Sequence, residues 1–360
     1  MLQKIIRPLI DKKPADINKL IPEKVKNILI VKQHNQLGDM LCTLPLFAAI
    51  RKKFYNSHIT LVASRDNYEV MNSTANRYLD RVILFAKSPI SEYNRFFKNL
   101  KDRKYDIGIV PSTVSFSRTS HLINYLSGAK IRVGVKSADG RYNKNEYLLN
   151  LKSDFVWDKN KLHQTERFLE IGKLLNCNLS DKEKKEVKLF LSKEEMNFAK
   201  EFIDKNFPDK NKYILGFHLG ARKIKNRWGL NNFLELIIKL YKKFNNYILL
   251  TEGPMDKEFT AKLNYDLISK GITTVTISFN IRLDAAILSQ IDLYITNDTG
   301  PMHTASFVGT PLIALFGPTN GFEWGPLKQN QIYIQSPTSD INDIKPDMVF
   351  KKTIELLNKL

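Results

Sequence analysis

The first half of the chain alternates continuous apolar runs with stretches whose apolar residues recur every three or four positions. Continuous runs are typical of strands buried on both faces of a parallel sheet, and the wider spacing is typical of helices. The predicted strands are 28–31, 59–62, 82–85, 107–110 and 131–135, and the predicted helices include 40–54 and 118–126. The pattern predicts a parallel sheet covered by helices on both faces.

The second half repeats this rhythm without repeating the sequence, after a polar stretch at 136–159 and helical segments at 162–175 and 193–207. Its predicted strands are 213–218, 247–251, 273–277, 293–296 and 311–316, and its predicted helices include 230–244 and 257–269. We therefore expect an α/β protein with two doubly wound domains and a cleft between them. Ligands should bind beyond the carboxyl ends of the strands.

A length of 360 residues also favours two domains over one. The predicted division is an N-terminal extension at 1–26, a first domain at 27–175, a connector at 176–211, a second domain at 212–345 and a closing helix at 346–360. Both domains should be Rossmann-like, because strands and helices alternate throughout each of them.

The formal net charge of +19 is the unusual feature of the composition. It indicates a polyanionic partner, such as nucleic acid, an anionic membrane surface or a phosphorylated substrate, or else lysines spread over solvated faces. Only two cysteines are present, so neither a disulfide framework nor a four-cysteine metal site can form. No apolar run approaches the roughly 20 residues that span a bilayer, and the N-terminus lacks the features of a signal peptide. We expect a cytoplasmic protein, with residues 4–10 as a candidate contact to the inner face of the cytoplasmic membrane.

The strand at 28–31 runs into a polar loop, followed by Gly38 and by Asp39 where a helix should begin. Asp39 could cap that helix by accepting hydrogen bonds from its first N–H groups, which is the common role of an acid at this place. Alternatively, it faces a ligand beyond the strand and accepts a proton from a hydroxyl group. Pro45 should bend the helix that follows, because it lacks the N–H of a helical hydrogen bond.

The segment 218–228 places a cluster of cations between a predicted strand and the helix at 230–244. These cations are Arg222, Lys223, Lys225 and Arg227. Fixed cations at this place would stabilise the charge that grows on a departing diphosphate. The alternative is a solvated loop without a ligand.

The segment 295–303 ends a strand in small polar residues and starts a helix with Pro301, a residue favoured at the first helical position. Free N–H groups and the positive end of a helix together form a phosphate site. The candidate N–H donors are Thr299, Gly300, Met302 and His303. We expect the Asp298 carboxylate to fix the loop by accepting backbone N–H groups. The alternative is an ordinary capped helix with His303 in the core.

A Gly-Pro-Thr turn at 317–319, followed by Trp-Gly-Pro at 324–326, is the last candidate segment. It follows the predicted strand 311–316 and would line the same edge of the second sheet. The chain contains no Walker sequence, no GxGxxG, no HExxH and no paired CxxC. Nothing in the sequence requires a metal or another cofactor.

Together these segments resemble glycosyltransferase family 9, the lipopolysaccharide heptosyltransferases. The matching segments occur in the family's order and are Leu-Gly-Asp-Met-Leu at 37–41, His-Leu-Gly-Ala at 218–221, Asn-Asp-Thr-Gly-Pro-Met-His at 297–303 and Phe-Gly-Pro-Thr at 316–319. The resemblance implies a GT-B fold, in which the first Rossmann-like domain takes the acceptor and the second holds the nucleotide-sugar.

The resemblance also implies an inverting, metal-independent transfer of heptose from an ADP-linked donor to a lipid-anchored saccharide of the lipopolysaccharide core or a related cell-surface acceptor. Asp39 is then the candidate base. The diphosphate pocket is then lined by Asp298, Thr299, Gly300, Pro301, Met302 and His303. The acceptor-side candidates are His34, Asn35, Gln36 and Gly38.

The chain departs from the family at three places. The family commonly has a lysine two residues before the tryptophan, where this chain has Asn226, so Lys223, Lys225 or Arg227 would have to supply the charge. The loop 33–36 replaces a small, glycine-containing stretch, which leaves the acceptor open. An acid that contacts the ribose has two candidates, which are Glu252 and Asp256.

Two other functions are compatible with the sequence. One is a nucleotide-sugar epimerase of similar two-domain architecture, which would need no acceptor. The other is a non-catalytic protein that binds an anionic surface, including a family member that has lost catalysis. Nucleic-acid binding is disfavoured, because no basic stripe with interleaved aromatic residues is present.

Overall fold

The computed structural model describes residues 13–34, 36–86 and 90–359 and, at 90 and 91, the backbone alone. The predicted membrane contact at 4–10 and the acceptor-side candidate Asn35 lie outside the described residues. The chain divides into two compact units, Met1–Val187 and Lys188–Leu360. The boundary between the units falls inside the segment predicted as a connector.

The first unit is built on a seven-stranded sheet. Its strands are β1 (Asn27–Lys32), β2 (His58–Ala63), β3 (Arg81–Leu84), β4 (Ile107–Val110), β5 (Ile131–Ala138), β6 (Arg141–Tyr142) and β7 (Leu151–Phe155). Its helices are α1 (Leu37–Leu41), α2 (Leu44–Lys53), α3 (Arg65–Met71), α4 (Ile90–Lys101), α5 (Arg118–Leu126), α6 (Gln164–Lys173) and α7 (Asp181–Glu186). The strand order is β3-β2-β1-β4-β5-β6, and β7 pairs with β5. All pairs are parallel except β5 with β6.

The second unit is built on a six-stranded sheet. Its strands are β8 (Ile214–His218), β9 (Tyr247–Thr251), β10 (Val275–Ile277), β11 (Leu293–Asn297), β12 (Leu312–Phe316) and β13 (Gln331–Gln335). Its helices are α8 (Lys193–Asn206), α9 (Leu230–Phe244), α10 (Lys257–Ile268), α11 (Ile281–Leu288), α12 (Gly300–Val308), α13 (Gly321–Trp324) and α14 (Pro346–Leu357). The strand order is β10-β9-β8-β11-β12-β13, and every pair is parallel.

Both sheets have the strand order of a Rossmann fold. In each, the first strand of the unit lies in the middle, with the second strand on one side and the fourth on the other. The connections therefore run in opposite directions from the pairs β1–β4 and β8–β11. A crevice opens at the carboxyl end of such a pair, and ligands of open α/β sheets bind there. The topology confirms the predicted fold class of two Rossmann-like domains and marks one crevice in each unit.

The apolar runs of the sequence correspond to strands that are covered on both faces. In β12, Ile313 and Leu315 belong to one core cluster, whereas Leu312, Ala314 and Phe316 belong to another. Successive side chains of a strand point to opposite faces, so a strand between two helical layers is apolar at most of its positions.

Three strands were missed by the sequence analysis, namely β6, β7 and β13. β7 and β13 contain exposed or half-buried positions, so their sequences lack a continuous apolar run. The predicted helix at 40–54 is in fact two helices, α1 and α2, separated at residues 42–43, with Pro45 in the first turn of α2. Proline fits a first turn because the N–H it lacks would be unpaired there.

Within the ranges that the structure describes, no helix combines the length and the apolar character needed to cross a bilayer.

Candidate functional site

A pocket of about 640 Å³ opens at the carboxyl ends of β8, β9, β10 and β11, within the second unit. Its volume lies in the range of roughly 300–1,000 Å³ that is usual for small-molecule sites. Several predicted donor-side residues line it, and these are Glu252, Asp256, Asp298, Thr299, Gly300 and Pro301. The topology thus brings together residues that are up to about fifty positions apart in the sequence.

One wall of the pocket is the start of α12. Thr299 is the N-cap residue, and its side chain makes no capping hydrogen bond but donates to the carbonyl oxygen of Asn297 over 3.3 Å. The first N–H groups of the helix therefore keep their capacity to bind an anion. Met302 is fully buried in a core cluster, and His303 is buried with its ring 6.4 Å from that of Trp324. These two residues do not line the pocket, so only their backbone N–H groups remain as candidates.

Asn297, the last residue of β11, binds the segment that follows β8. Its buried side chain accepts a hydrogen bond from the N–H of Trp228 at 3.1 Å. The same side chain donates to the carbonyl oxygens of Leu219 and Gly220, at 2.9 and 3.1 Å. An amide can accept and donate at once, so this one residue fixes both ends of the segment 219–228 to the end of β11.

Asn226 stands where the family that the sequence resembles commonly has a lysine, and its side chain binds Asp298. Its Nδ2 donates to Asp298 Oδ2 at 3.1 Å and to Thr319 Oγ1 at 3.0 Å. The Asp298 carboxylate was expected to accept backbone N–H groups, but its hydrogen-bond partners are the side chains of Asn226 and Thr319. Burial raises the pKa of Asp298, although the hydrogen bond from Thr319 and the charge of Lys223 oppose the rise.

Asp256, which lines the pocket, is the centre of a buried polar group. Its carboxylate lies 3.7 Å from His218 Nε2 and 3.9 Å from a terminal nitrogen of Arg227. Burial lowers the pKa of His218 despite the nearby Asp256 charge, so the ring is neutral and Arg227 is the counter-ion. A Cβ on Gly220 would lie 2.0 Å from Asp256 Oδ2. The glycine after β8 is therefore what allows Asp256 to occupy this position.

The predicted cations divide into two groups. The guanidinium of Arg227 is held by contacts within the protein. Its Nε donates to the carbonyl oxygen of Ala221 at 2.7 Å, and the group lies 5.0 Å from the ring centroid of Phe259. Lys223 and Lys225 are exposed, and of these Lys223 is close enough to Asp298 to act on its pKa. Arg222, which belongs to the predicted cation cluster but was not selected as a phosphate-binding residue, lines the pocket itself.

The two ribose candidates also differ. Asp256 is buried and engaged with Arg227, whereas Glu252 is half-buried at the pocket wall. In the part of the chain that the structure describes, the Glu252 carboxylate has no hydrogen-bond or ion-pair partner. Glu252 is therefore the acid that is available to a ligand.

The pocket contains a third carboxyl group, Asp284 in α11, which the sequence analysis did not select. Its Oδ1 accepts a hydrogen bond from the N–H of Phe279 at 3.1 Å. Burial raises the pKa of Asp284 to about 6. In the sequence an acid near the start of a helix is too common to attract notice, because it is favourable to the helix dipole alone.

In the first unit, Asp39 lies at the carboxyl end of β1 and is the third residue of α1. Gln36 is the N-cap residue, so the capping role considered for Asp39 is not what the structure has. Asp39 Oδ2 accepts a hydrogen bond from Lys32 Nζ at 2.7 Å, and the Asp39 and Lys32 side chains are 11% and 5% exposed. Asp39 Oδ1 is buried and has no hydrogen-bond partner in the described chain.

Lys32 is the last residue of β1 and was not among the predicted site residues. Its ammonium group lies 4.2 Å from the ring centroid of Phe168 in α6, and within 3.5 Å of the carbonyl oxygen of Pro111. The lysine is therefore fixed by an aromatic ring and a carbonyl oxygen, and it holds one oxygen of Asp39 in place. A charge at the end of an apolar strand was a visible signal in the sequence.

A small pocket beside Asp39 lies between the ends of β1 and β4. His34 and Gln36 line it, as do Thr113 and Ser115 from the loop after β4. His34 Nε2 lies 3.3 Å from Ser115 Oγ, and Thr113 Oγ1 is buried without a hydrogen-bond partner in the described residues. His34 and Gln36 therefore lie in one pocket with Asp39, and their role toward an acceptor stays a prediction. Gly38 is in α1 but does not line this pocket.

Across residues 13–34, 36–86 and 90–359, no group of three or more His, Cys, Asp or Glu side chains is arranged so that it could hold a metal ion.

Comparison with known proteins was made on the sequence and on the fold. The model of glycosyltransferase family 9 (heptosyltransferase) matches residues 93–354, which is most of the chain. A lipopolysaccharide heptosyltransferase 3 of Escherichia coli is 24% identical over 328 residues, covering 85% of this chain and 90% of the relative.

Two solved structures are similar over nearly their whole length. A family 9 glycosyltransferase of Veillonella parvula superposes with a TM-score of 0.79 at 20% identity, covering 94% of this chain and 99% of that one. An Escherichia coli ADP-heptose LPS heptosyltransferase II gives a TM-score of 0.74 at 20% identity, with 93% and 99% covered. The fold is therefore GT-B, and the chain belongs to glycosyltransferase family 9 and is a glycosyltransferase of the heptosyltransferase type.

Proposed function

We propose that the protein is an inverting, metal-independent heptosyltransferase that moves heptose from ADP-heptose to a saccharide of the lipopolysaccharide core. The observation that carries this proposal is the Asp39 carboxylate. One of its oxygens is held by Lys32, and the other is buried without a partner among the described residues. A carboxylate kept in this state can take a proton from a hydroxyl group placed against its second oxygen.

The donor half of the reaction is assigned to the pocket of the second unit. The first N–H groups of α12 bind the diphosphate, with Lys223 and Arg222 as the nearest available cations. Glu252 binds the ribose hydroxyls through its unengaged carboxylate. These donors stabilise the charge that collects on the diphosphate as it leaves, and this contribution grows toward the transition state.

The acceptor half is assigned to Asp39 and the small pocket beside it. The acceptor oxygen attacks the anomeric carbon from the face opposite the nucleotide, and its proton passes to Asp39 Oδ1. The bond from the anomeric carbon to the phosphate oxygen breaks, and the electron pair leaves with ADP. The configuration at the anomeric carbon is inverted in this single displacement. Binding of the acceptor saccharide is assigned to His34, Gln36 and Thr113, which line this pocket.

The test is a transfer assay with the full chain, ADP-heptose and a truncated lipopolysaccharide core as acceptor. Release of ADP and the mass of the product are measured, and the anomeric configuration is read by NMR. Parallel reactions contain EDTA, omit the acceptor, or replace the donor by UDP-, GDP- or CMP-linked sugars. We expect acceptor-dependent release of ADP that EDTA does not reduce.

The other outcomes distinguish the alternative functions. Conversion of the donor to a rearranged nucleotide-sugar without acceptor would indicate an epimerase. Failure to bind or consume any nucleotide-sugar would favour a protein that binds anionic surfaces without catalysis. Retention of the anomeric configuration would contradict the single displacement.

We also propose a transient contact with an anionic membrane surface, where a lipid-anchored acceptor would be found. The net charge of +19 supports this proposal, since each cation near an anionic leaflet contributes about 1 kcal/mol. Sedimentation with vesicles of phosphatidylcholine, with and without phosphatidylglycerol, tests it. Binding should require the anionic lipid and should weaken as salt is added.

A further inference from the structure

We propose that Asp284 selects the base of the donor nucleotide by accepting a hydrogen bond from an exocyclic amino group, which favours adenine over uracil. The inference rests on the proposed donor site in the second unit. It gives this carboxyl group a part in specificity, separate from the binding of the diphosphate and the ribose.

The strand order gives the pocket a direction. β10, β9, β8 and β11 are successive neighbours in the sheet, so roughly 14 Å separates the first from the fourth. The helix start at Thr299 and Gly300 follows β11, and Glu252 follows β9. Asp284 belongs to α11, which follows β10. A nucleotide whose diphosphate lies at β11 and whose ribose lies at β9 therefore presents its base to the segment after β10.

The residues around Asp284 suit a flat heteroaromatic ring. Phe279 and Met255 line the pocket and are large apolar side chains with exposed fractions of 46% and 68%. Ile281 and Leu288 complete this apolar end. Small-molecule pockets commonly combine apolar walls with a few polar groups that fix orientation, and Asp284 is the polar group of α11 at this end.

The hydrogen bonds of Asp284 leave it able to accept from a ligand. Its Oδ1 accepts from the N–H of Phe279, whereas its Oδ2 has no hydrogen-bond partner among the described residues. No cation pairs with it in that part of the chain, which agrees with a pKa raised by burial. The first turn of α11 also has a cap of its own, since Asn280 accepts from the N–H groups of Arg282 and Leu283.

The edges of the bases differ in what they offer to a carboxylate. Adenine carries an amino group that donates, whereas uracil, like thymine, carries a carbonyl oxygen at the equivalent place. A carboxylate accepts from the first and repels the second. An asparagine side chain can either accept or donate, so it can pair with both bases. Asp284→Asn therefore removes the negative charge of this side chain and keeps its shape.

The test is calorimetric titration of the full chain with ADP, UDP and GDP for wild type, Asp284→Asn and Asp292→Asn. Asp292 is the matched control, because burial also raises its pKa and it accepts a backbone N–H, from Ile214 at 2.7 Å, but it does not line the pocket. We expect wild type to prefer ADP over UDP by about tenfold or more. Asp284→Asn should bring the ratio of the two dissociation constants close to one, mainly by strengthening UDP, and Asp292→Asn should leave it unchanged.

The remaining outcomes separate this inference from the function on which it rests. An ADP preference that persists in Asp284→Asn overturns the inference and leaves the donor site intact. An equal weakening of all three nucleotides overturns it as well, because a purely structural role has that effect. If wild type binds none of them, the proposed donor site fails and the inference falls with it. A GDP preference that Asp284→Asn removes would support the role of Asp284 and replace adenine by guanine.

Discussion

The crevices of the two units lie at the same place in the same topology but carry different chemistry. Beside β1, the five-residue helix α1 presents a carboxylate that is held by a buried lysine. Beside β11, the nine-residue helix α12 presents an uncapped first turn. The strand order decides where a ligand binds, and the residues after the strand decide whether the site takes a proton or holds an anion.

The division also shows in how acids are treated. Asp39 keeps one oxygen buried without a partner in the described chain, whereas Asp256 and Asp298 are each engaged by neighbouring side chains. In the proposed reaction, Asp256 and Asp298 lie beside the diphosphate, where an uncompensated negative charge would repel it. Glu252 and Asp284 line the same pocket without a cation partner in the described chain, and they are assigned to the ribose and the base instead. In the same proposal, Asp39 keeps one oxygen for the acceptor hydroxyl.

Replacing Asp39, the proposed base, should have a larger effect than the other substitutions. Asp39→Asn keeps the shape and a hydrogen-bond acceptor for Lys32 but removes the proton acceptor, so kcat should fall about 10²–10⁴-fold. The dissociation constant for ADP should stay unchanged, because the nucleotide is assigned to the second unit. Steady-state kinetics and calorimetry measure the two effects separately. Near-normal turnover in a folded, nucleotide-binding variant would remove Asp39 from the mechanism.

Replacing Lys32, which holds one oxygen of Asp39, should have the next largest effect. Lys32→Met leaves a buried carboxylate without its counter-ion, which should lower the free energy of unfolding by about 3 kcal/mol and reduce kcat less than Asp39→Asn does. In the double variant with Asp39→Asn, most of that stability should return, since no unpaired charge remains. Denaturant unfolding of the single and double variants measures the coupling. Strictly additive losses would show that the two side chains act independently.

The fold could be predicted from the sequence because its signals are local and repeated. The buried central strands are apolar at most positions, and Gly38, Gly220 and Pro301 mark loops at strand ends or helix starts. β7 and β13 could not be predicted in this way, since strands at a sheet edge with exposed positions lack that pattern. The break before Pro45 was anticipated as a bend, because sequence shows that a hydrogen bond is lost but not how the chain responds.

The positions of candidate residues were predictable where a motif continues directly from a strand, as at Asp39 and at Thr299 and Gly300, and the roles of these residues stay predictions. The site was less predictable where function depends on distant partners. Nothing in the sequence links Asn226 to Asp298, which lies 72 positions away. Asp284 looks like an ordinary acid in a first helical turn, and only the structure shows that it lines the pocket of the second unit.

The cations of the second unit offer a smaller test, on nucleotide binding alone. Lys223→Ala should weaken ADP binding several-fold, because an exposed cation near the bound diphosphate contributes about 1 kcal/mol. Lys225→Ala is the matched control, since Lys225 is also exposed but is not among the charges acting on Asp298. Calorimetry at two salt concentrations measures both, and the loss in Lys223→Ala should shrink at high salt. Equal effects of the two substitutions would mean that the cluster acts only through its total charge.

The smallest effect concerns two aspartates at corresponding places in the two sheets. Asp106 precedes β4 and accepts hydrogen bonds from the N–H groups of Lys26 and Asn27, at 2.9 and 3.2 Å, and from Lys130 Nζ at 3.0 Å. Burial alone would raise the pKa of Asp106, but the hydrogen bonds outweigh it and the pKa is lowered. Asp292 precedes β11 and accepts from Ile214 N–H, and burial raises its pKa.

The signs of the two pKa shifts predict opposite effects on stability. Ionised Asp106 stabilises the fold above its unfolded-state pKa, so Asp106→Asn should lower the unfolding temperature at neutral pH, by the equivalent of about 1 kcal/mol. The stabilisation is lost as the pH falls through the lowered pKa, and the variant should then match wild type. Ionised Asp292 is disfavoured in the folded state, so Asp292→Asn should leave the unfolding temperature unchanged or raise it at neutral pH. Any such rise should disappear toward about pH 3, where Asp292 of the wild type is protonated in both the folded and the unfolded state. Calorimetric scans between these pH values measure both, and a destabilised Asp292→Asn at neutral pH would show that its hydrogen bond to Ile214 outweighs the cost of burying its charge.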